Sequence, residues 1–149
     1  HQAVVFYDTM WEGTRLLADA VAEGLTAADP DLTVKVLNLA KTDKNDVAAE
    51  VFKSKLAVAG SPTVGNDMLS SVAGFLHFIR ELKMKGKKAA TFGCYGWTGE
   101  AADKVAEVLT RSGFEVVGKP FKAKWRPDED VLRAAAAWGR ELAASIAGS

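Results

Sequence analysis

The chain has 149 residues, of which 48% are hydrophobic and 26% charged, and its formal net charge is zero. This length and composition are typical of one soluble globular domain, and the balanced charge gives no support for binding to nucleic acid or to an anionic membrane surface. The single cysteine, Cys94, excludes an internal disulfide and a Cys-x-x-Cys redox pair, and it favours a reducing, cytoplasmic location.

Short apolar runs alternate along the chain with segments in which apolar residues recur at helical spacing. In chain order, the predicted elements are a strand at Ala3–Tyr7, a helix at Thr14–Ala28, an edge strand at Thr33–Leu39, a helix at Asn45–Phe52, a strand at Leu56–Ala59, a helix at Met68–Leu82, a strand at Ala89–Gly93, a helix at Glu100–Ser112, a strand at Phe114–Val117 and a helix at Val131–Ile146. This alternation predicts an α/β fold, with a mostly parallel sheet covered by helices on both faces.

Three loops follow strands whose carboxyl ends meet at one edge of such a sheet, which is where ligands bind in this class of fold. The first, Thr9–Thr14, offers hydroxyl groups, a glycine and a helix start, whose free N–H groups attract anions. It lacks both the Gly-Lys-Ser/Thr and the Gly-x-Gly-x-x-Gly signatures, so it favours a phosphate monoester. The alternative is an ordinary helix start capped by Thr or Glu.

The second and third loops, Ser61–Asp67 and Gly93–Glu100, add polar groups and aromatic rings. The second alone favours an ordinary surface turn that caps the next helix through Asp67. The third places Tyr95 and Trp97 among glycines, and large exposed aromatic side chains indicate either a binding site or packing on neighbouring loops. Together with Trp11 of the first loop, these side chains favour a planar heterocycle that carries a phosphate, and FMN is such a ligand.

Three segments resemble the C-terminal flavodoxin domain of flavodiiron proteins, also called A-type flavoproteins. They are YDTMWEGT at Tyr7–Thr14, GSPTVGNDMLSSVAGFL at Gly60–Leu76 and KKAATFGCYGWTGEAA at Lys87–Ala102. The resemblance covers nearly the whole chain and implies a flavodoxin-like, five-stranded parallel sheet in the order 2-1-3-4-5 with non-covalent FMN. Because the chain begins at His1 without a methionine, we expect residues 1–149 to be one FMN-binding domain of a larger flavodiiron protein.

The resemblance also implies three groups of FMN-binding residues. The phosphate would lie at Thr9, Met10, Trp11, Gly13 and Thr14, the ribityl chain and ring along Ser61, Pro62, Thr63, Gly65 and Asn66, and the other side of the ring at Cys94, Tyr95, Gly96, Trp97, Thr98 and Gly99. Two positions depart from the family pattern. Gly65 stands where Asn is common, which removes one polar contact, and Cys94 stands where Ser is common, which we interpret as a packed small residue.

The function implied is that of an electron-transfer domain. It would accept electrons from a rubredoxin-like protein, or from a donor that uses NAD(P)H or deazaflavin, and pass them to the di-iron site of a parent oxygen or nitric oxide reductase, usually across a head-to-tail dimer. The chain has only two histidines, His1 and His77, and neither lies in a His-x-His-x-Asp pattern. We therefore expect no metal site here, a structural role for His77, and no complete enzyme.

Three alternatives stay open. The chain could be a free-standing flavodoxin-type electron carrier, or an FMN-dependent NAD(P)H quinone reductase. A receiver-type signalling domain is disfavoured, because the strand at Leu56–Ala59 ends without a phosphoacceptor Asp. Two basic segments, Lys83–Lys88 and Lys119–Arg126, are interpreted as solvated loops, and the second could dock an acidic electron donor or pack its Trp125 on the last helix by a cation–π contact.

Overall fold

The computed structural model describes residues 1–10 and 12–147. In chain order its elements are β1 (Gln2–Tyr7), α1 (Gly13–Ala28), β2 (Thr33–Asn38), α2 (Lys44–Lys53), β3 (Leu56–Gly60), α3 (Ser70–Glu81), β4 (Lys88–Tyr95), α4 (Glu100–Arg111), β5 (Glu115–Val116), β6 (Phe121–Lys124) and α5 (Glu129–Ser145). Every predicted element is present with similar bounds, and β6 is an additional strand. Among the described helices, none combines the length and the apolar character needed to cross a membrane.

The strands form a parallel sheet in the order β2-β1-β3-β4-β5, as predicted. The fifth position of the sheet is divided between two short strands. β5 pairs with the start of β4, where Lys88 faces Glu115, and β6 pairs with its end, where Phe92 faces Phe121. The sheet therefore continues through β6 to the carboxyl end of β4.

Strand β6 is not predicted from the sequence, because the segment FKAK has lysine at alternate positions and the composition of a basic loop. In the structure the alternation is that of an edge strand. Ala123 is buried, and the Phe121 ring lies 5.6 Å from the Trp138 ring of α5, whereas Lys122 and Lys124 are exposed. The interpretation of Lys119–Arg126 as one solvated loop is therefore wrong over the strand.

Helices cover both faces of the sheet and create two cores. Ala3, Val5 and Tyr7 of β1 belong to the core that includes α1 and α5. Val4 and Phe6 belong to the core that includes α2, α3 and α4. Since side chains alternate between the two faces of a strand, β1 is buried on both sides, as its continuous apolar run predicts.

Two details near α3 and β4 differ from the sequence predictions. The helix ends at Glu81, and Leu82, the last residue of the predicted helix, is 47% exposed. In the basic segment before β4, the Lys87 ammonium donates to the carbonyls of Phe52 and Ser54 at 2.6 and 2.9 Å, and burial lowers its pKa. Lys87 therefore fastens β4 to the end of α2 instead of facing solvent.

Candidate functional site

A cleft of about 420 Å³ opens at the carboxyl edge of the sheet. The loops after β1, β3, β4 and β6 form its walls. Its lining residues are Met10, Gly13, Pro62, Thr63, Val64, Cys94, Tyr95, Gly96, Trp97, Trp125 and Arg126. Ligands of parallel α/β sheets bind beyond the carboxyl ends of the strands, so this cleft is the candidate site.

The N-terminus of α1 borders the cleft through Gly13, and no described side chain caps it. The N-cap residues of α3 and α4 also form no side-chain cap, whereas α2 and α5 are capped by the carboxylates of Asp43 and Asp128. The hydroxyl of Thr14, in the first turn of α1, is fully buried behind the cleft lining, has no oxygen or nitrogen partner among the described residues, and lies near the Cys94 sulfur, a weak acceptor. Because buried polar groups are almost always paired, an uncapped helix start with an unpaired hydroxyl is suited to an anionic ligand.

The alternative of an ordinary capped helix does not describe this loop. Glu12 has a positive φ of 66°, and its carboxylate forms an ion pair with Arg15 instead of a cap. Asp8 accepts hydrogen bonds from its neighbour Thr9 N–H at 2.7 Å and from the Ser71 hydroxyl at 2.6 Å. These bonds tie the loop to α3. Trp11, predicted to bind the phosphate, lies outside the described residues.

The second loop makes a tight turn in which Val64 and Asp67 exchange backbone hydrogen bonds of 2.7 and 3.1 Å. Gly65 and Asn66 occupy its two central positions with φ of 56° and 65°. A turn with two positive φ values favours Gly and Asn, so the departure at Gly65 has a conformational explanation. The predicted residues Gly65 and Asn66 lie at the exposed tip and do not line the cleft.

Hydroxyl groups of the second and third loops join them to each other and to helices. Ser61 Oγ is buried, accepts from the Leu69 N–H at 2.9 Å and donates to the Pro62 carbonyl. Thr63 Oγ1 accepts from the N–H of residue 101 in α4 at 3.1 Å, and the Thr98 hydroxyl donates to the Asn66 side-chain oxygen at 2.9 Å. Of these polar residues only Thr63 also lines the cleft, so the others shape its walls.

Two tryptophans stand at the mouth of the cleft. Trp97 is 88% exposed and Trp125 is 57% exposed, and their rings meet edge to face with centroids 5.8 Å apart. The predicted Tyr95, Gly96 and Trp97 all line the cleft, whereas Thr98 and Gly99 lie beyond it. Exposed apolar side chains of this size at a concave surface indicate a ligand or partner site.

Sequence analysis did not assign Val64, Trp125 or Arg126 to the cleft. The suggested cation–π contact of Trp125 with the last helix is replaced by its contact with Trp97. Val64 lies inside a predicted loop and could have been included. The other two follow the unpredicted strand β6, and no local pattern indicates that they reach the site.

Cys94 lies on the floor of the cleft, 9% exposed, as the packed residue that was predicted. A Cβ at Gly13 would be 3.0 Å from its sulfur, so the thiol packs against the start of α1. Burial raises the pKa of the Cys94 thiol to about 11, and a weak hydrogen bond with the Thr14 hydroxyl opposes this with a smaller effect. The thiol is therefore protonated at neutral pH and is not a nucleophile.

We expect iodoacetamide at pH 8 to alkylate Cys94 about 100-fold more slowly in the native protein than in the urea-unfolded chain. A thiol pKa near 11 instead of 9 lowers the thiolate fraction by that factor, before steric shielding is considered. The native rate should keep rising with pH until about 11, whereas the unfolded rate should level off above 9. Mass spectrometry of timed samples measures the native and the unfolded alkylation rates. Equal rates at pH 8 would contradict the buried environment of the Cys94 thiol.

The two histidines lie away from the cleft. His77 is exposed on α3 with Glu81 at 3.8 Å, so the expected structural packing of this side chain is not found. His1 pairs with Asp29. Within residues 1–10 and 12–147, no group of three or more His, Cys, Asp or Glu side chains is placed to hold a metal ion.

Comparisons with known proteins agree with this geometry. Residues 5–139 match the family model described as Flavodoxin. Over 139 residues, the chain is 42% identical to the anaerobic nitric oxide reductase flavorubredoxin of Klebsiella pneumoniae and 45% identical to that of Vibrio vulnificus. These matches cover 93% of this chain but only 29% and 28% of those relatives, so the chain spans less than a third of their length.

Solved structures give the same result. The rubredoxin oxygen:oxidoreductase of Desulfovibrio gigas matches with a TM-score of 0.91 and 30% identity, over 97% of this chain and 35% of that one. The flavodiiron protein of Giardia intestinalis matches with a TM-score of 0.89 and 30% identity, over 96% of this chain and 35% of that one. The uncapped α1, the unpaired Thr14 hydroxyl and the aromatic cleft suit a planar ring that carries a phosphate. The chain belongs to the flavodoxin family, whose domains in flavorubredoxin-type proteins bind FMN.

Proposed function

We propose that this chain is the FMN-binding electron-transfer domain of a longer flavodiiron protein. The observation that carries the proposal is the start of α1, where an uncapped helix and the unpaired hydroxyl of Thr14 lie beside a cleft with two exposed tryptophans. A phosphate would pair with the free polar groups at the start of α1, and a planar ring would cover the two tryptophans. The greater length of the flavorubredoxin relatives supports the view that residues 1–149 are one domain of several.

In this proposal each loop has its own task. The N–H groups at Gly13 and Thr14, with the hydroxyls of Thr9 and Thr14, would hold the phosphate, and Met10 would cover it from the cleft side. The flavin ring would lie in the cleft, with Pro62 and Thr63 on one side and Tyr95, Gly96 and Trp97 on the other. Bound FMN supplies the electron-transfer chemistry. The protein orients the ring, excludes water from one side and leaves the edge near Trp97 accessible.

The proposed electron path starts at a rubredoxin-like protein or a donor that uses NAD(P)H or deazaflavin. It ends at a di-iron site in another part of the parent, which would be an oxygen or nitric oxide reductase assembled as a head-to-tail dimer. The names of the relatives support this path, since they combine rubredoxin with oxygen or nitric oxide reduction. The exposed Trp97 at the mouth marks where a partner could approach the cofactor.

We expect the apo-protein to bind one equivalent of FMN with a Kd of about 1 µM or lower. Binding should quench tryptophan fluorescence, because Trp97 and Trp125 stand at the cleft, and it should shift the visible flavin bands. A calorimetric titration gives the stoichiometry and affinity, and circular dichroism confirms that the apo-protein is folded.

Folded protein that does not bind FMN would refute the proposal. The FMN-loaded chain should also show no sustained oxidation of NAD(P)H with a quinone as acceptor. Rapid turnover in that assay would instead support the quinone reductase interpretation. A full-length gene product of only this domain would support the free-standing carrier.

A further inference from the structure

We propose that the loop between β6 and α5, Trp125-Arg126-Pro127, forms a fourth wall of the cofactor site in which Arg126 binds the phosphate of the ligand. This inference deepens the proposed function and rests on it. It assigns a cationic contact to a loop that the three-loop interpretation of the sequence leaves out.

The backbone of this loop is held firmly against the third loop. The Trp125 N–H donates to the Tyr95 carbonyl at 2.7 Å. Trp125 has a φ of 61°, a backbone conformation that residues other than glycine rarely adopt. A Cβ at Gly96 would lie 3.1 Å from the Trp125 ring, so the absence of a side chain there lets the ring approach. A turn that is fixed in an uncommon conformation at a cleft is a frequent feature of binding sites.

The other end of the loop lies against the start of α1. Pro127 Cδ is 3.5 Å from the position that a Cβ on Gly13 would occupy, and this atom is bonded to the nitrogen that follows Arg126. Arg126 therefore lies between the tryptophan pair and the helix N-terminus where the phosphate is proposed to bind. Arg126 lines the same cleft as Gly13.

The charge of Arg126 is available to a ligand. Among the described residues that line the cleft, it alone is charged, and it forms no ion pair with any described residue. Arg15 in α1 and Arg133 in α5 are both paired with carboxylates. The carboxylate of Asp128, two residues beyond Arg126, is occupied in capping α5.

A guanidinium group matches this task because its planar set of N–H donors can bind two phosphate oxygens at once. A phosphate held only by helix N–H groups and hydroxyls receives no full positive charge. Arg126 would add one, and it would make the site discriminate between FMN and riboflavin, which share the ring but differ in the phosphate.

The test compares FMN and riboflavin affinities in wild type, Arg126→Gln, Arg126→Lys and the control Lys124→Gln, by titration calorimetry. Lys124 is exposed on β6, two residues from Arg126, and does not line the cleft. We expect Arg126→Gln to weaken FMN binding about tenfold or more while riboflavin binding stays at the wild-type value. Arg126→Lys should weaken FMN binding less than Arg126→Gln does, because lysine keeps the positive charge but lacks the planar set of N–H donors. Lys124→Gln should bind both ligands as the wild type does.

Added salt provides a second measurement that needs no substitution. Raising NaCl should weaken FMN binding to the wild type and leave riboflavin binding unchanged, and Arg126→Gln should reduce the salt dependence. If Arg126→Gln lost the same factor of affinity for FMN and for riboflavin, or kept its FMN affinity, the assignment of Arg126 to the phosphate would be overturned. The proposal that the chain binds FMN would still stand. If the wild type bound neither ligand, the proposed function would fail first.

Discussion

Replacing Thr14 with Val is expected to stabilise the apo-protein and, at the same time, to weaken FMN binding. The Thr14 hydroxyl is fully buried, with no oxygen or nitrogen partner among the described residues and only the weakly accepting Cys94 sulfur near it. Burying such a group costs about 1–3 kcal/mol, and Val has nearly the same shape without the hydroxyl. We therefore expect the free energy of unfolding of the apo-protein to rise by about 1 kcal/mol, measured by urea denaturation.

The effect on the cofactor has the opposite sign. A hydrogen bond from the Thr14 hydroxyl to a charged phosphate contributes about 1.5–3 kcal/mol, so its loss should weaken FMN binding by about 10- to 100-fold. Riboflavin lacks the phosphate, and its affinity should not change. Titration of both ligands into Thr14→Val and wild type measures the difference.

Thr91→Val is the matched control for this substitution. Thr91 is also a buried threonine, but its hydroxyl donates to the Ala102 carbonyl at 2.9 Å. Because Thr91→Val removes this existing hydrogen bond, it should lower the free energy of unfolding by about 1 kcal/mol and leave FMN affinity at the wild-type value. If Thr14→Val lost stability as Thr91→Val does, or bound FMN normally, the hydroxyl of Thr14 would have no role in holding the phosphate.

Local patterns were sufficient to predict most of the fold. The run at Ala3–Tyr7 is buried on both faces, and a strand with that environment must be apolar at every position. Strand and helix then alternate, and this alternation fixes a parallel sheet with the loop after each strand at one edge. The three loops with hydroxyls, glycines and aromatic residues were found for the same reason, since their composition is unusual for simple connections.

What was missed depends on contacts between distant parts of the chain. β6 is a strand only because it pairs with the end of β4, and its lysines give it the composition of a loop. Trp125 and Arg126 reach the cleft because β6 delivers them there and because Gly96, about thirty residues earlier, leaves room for the Trp125 ring. No local pattern carries that information. Likewise, the hydrogen bond between Thr98 and Asn66 is visible only when the two loops are brought together.

Replacing Gly24 with Ala is expected to lower the free energy of unfolding by about 3 kcal/mol. Gly24 lies where α1 and α5 cross. A Cβ there would be 1.9 Å from the Ala136 carbonyl oxygen, and a Cβ at Gly139 on the facing helix would be 2.4 Å from the Val21 carbonyl oxygen. The obstructing atoms are backbone, so the helices must separate, and this would open the core that contains Trp138. Urea denaturation of the apo-protein measures the loss.

Gly74→Ala separates this steric effect from helix propensity. Gly74 lies inside α3, and a Cβ there would meet nothing within 4 Å. Alanine is favoured over glycine in a helix by about 0.5–1 kcal/mol, so Gly74→Ala should stabilise the protein while Gly24→Ala, the same chemical change in another helix, destabilises it. Because α5 begins directly after the loop that carries Arg126, a displaced α5 should also weaken FMN binding in Gly24→Ala and leave it unchanged in Gly74→Ala. Equal stability changes in the two variants would mean that α1 and α5 separate at little cost, and that the position of the fourth loop does not depend on their close packing.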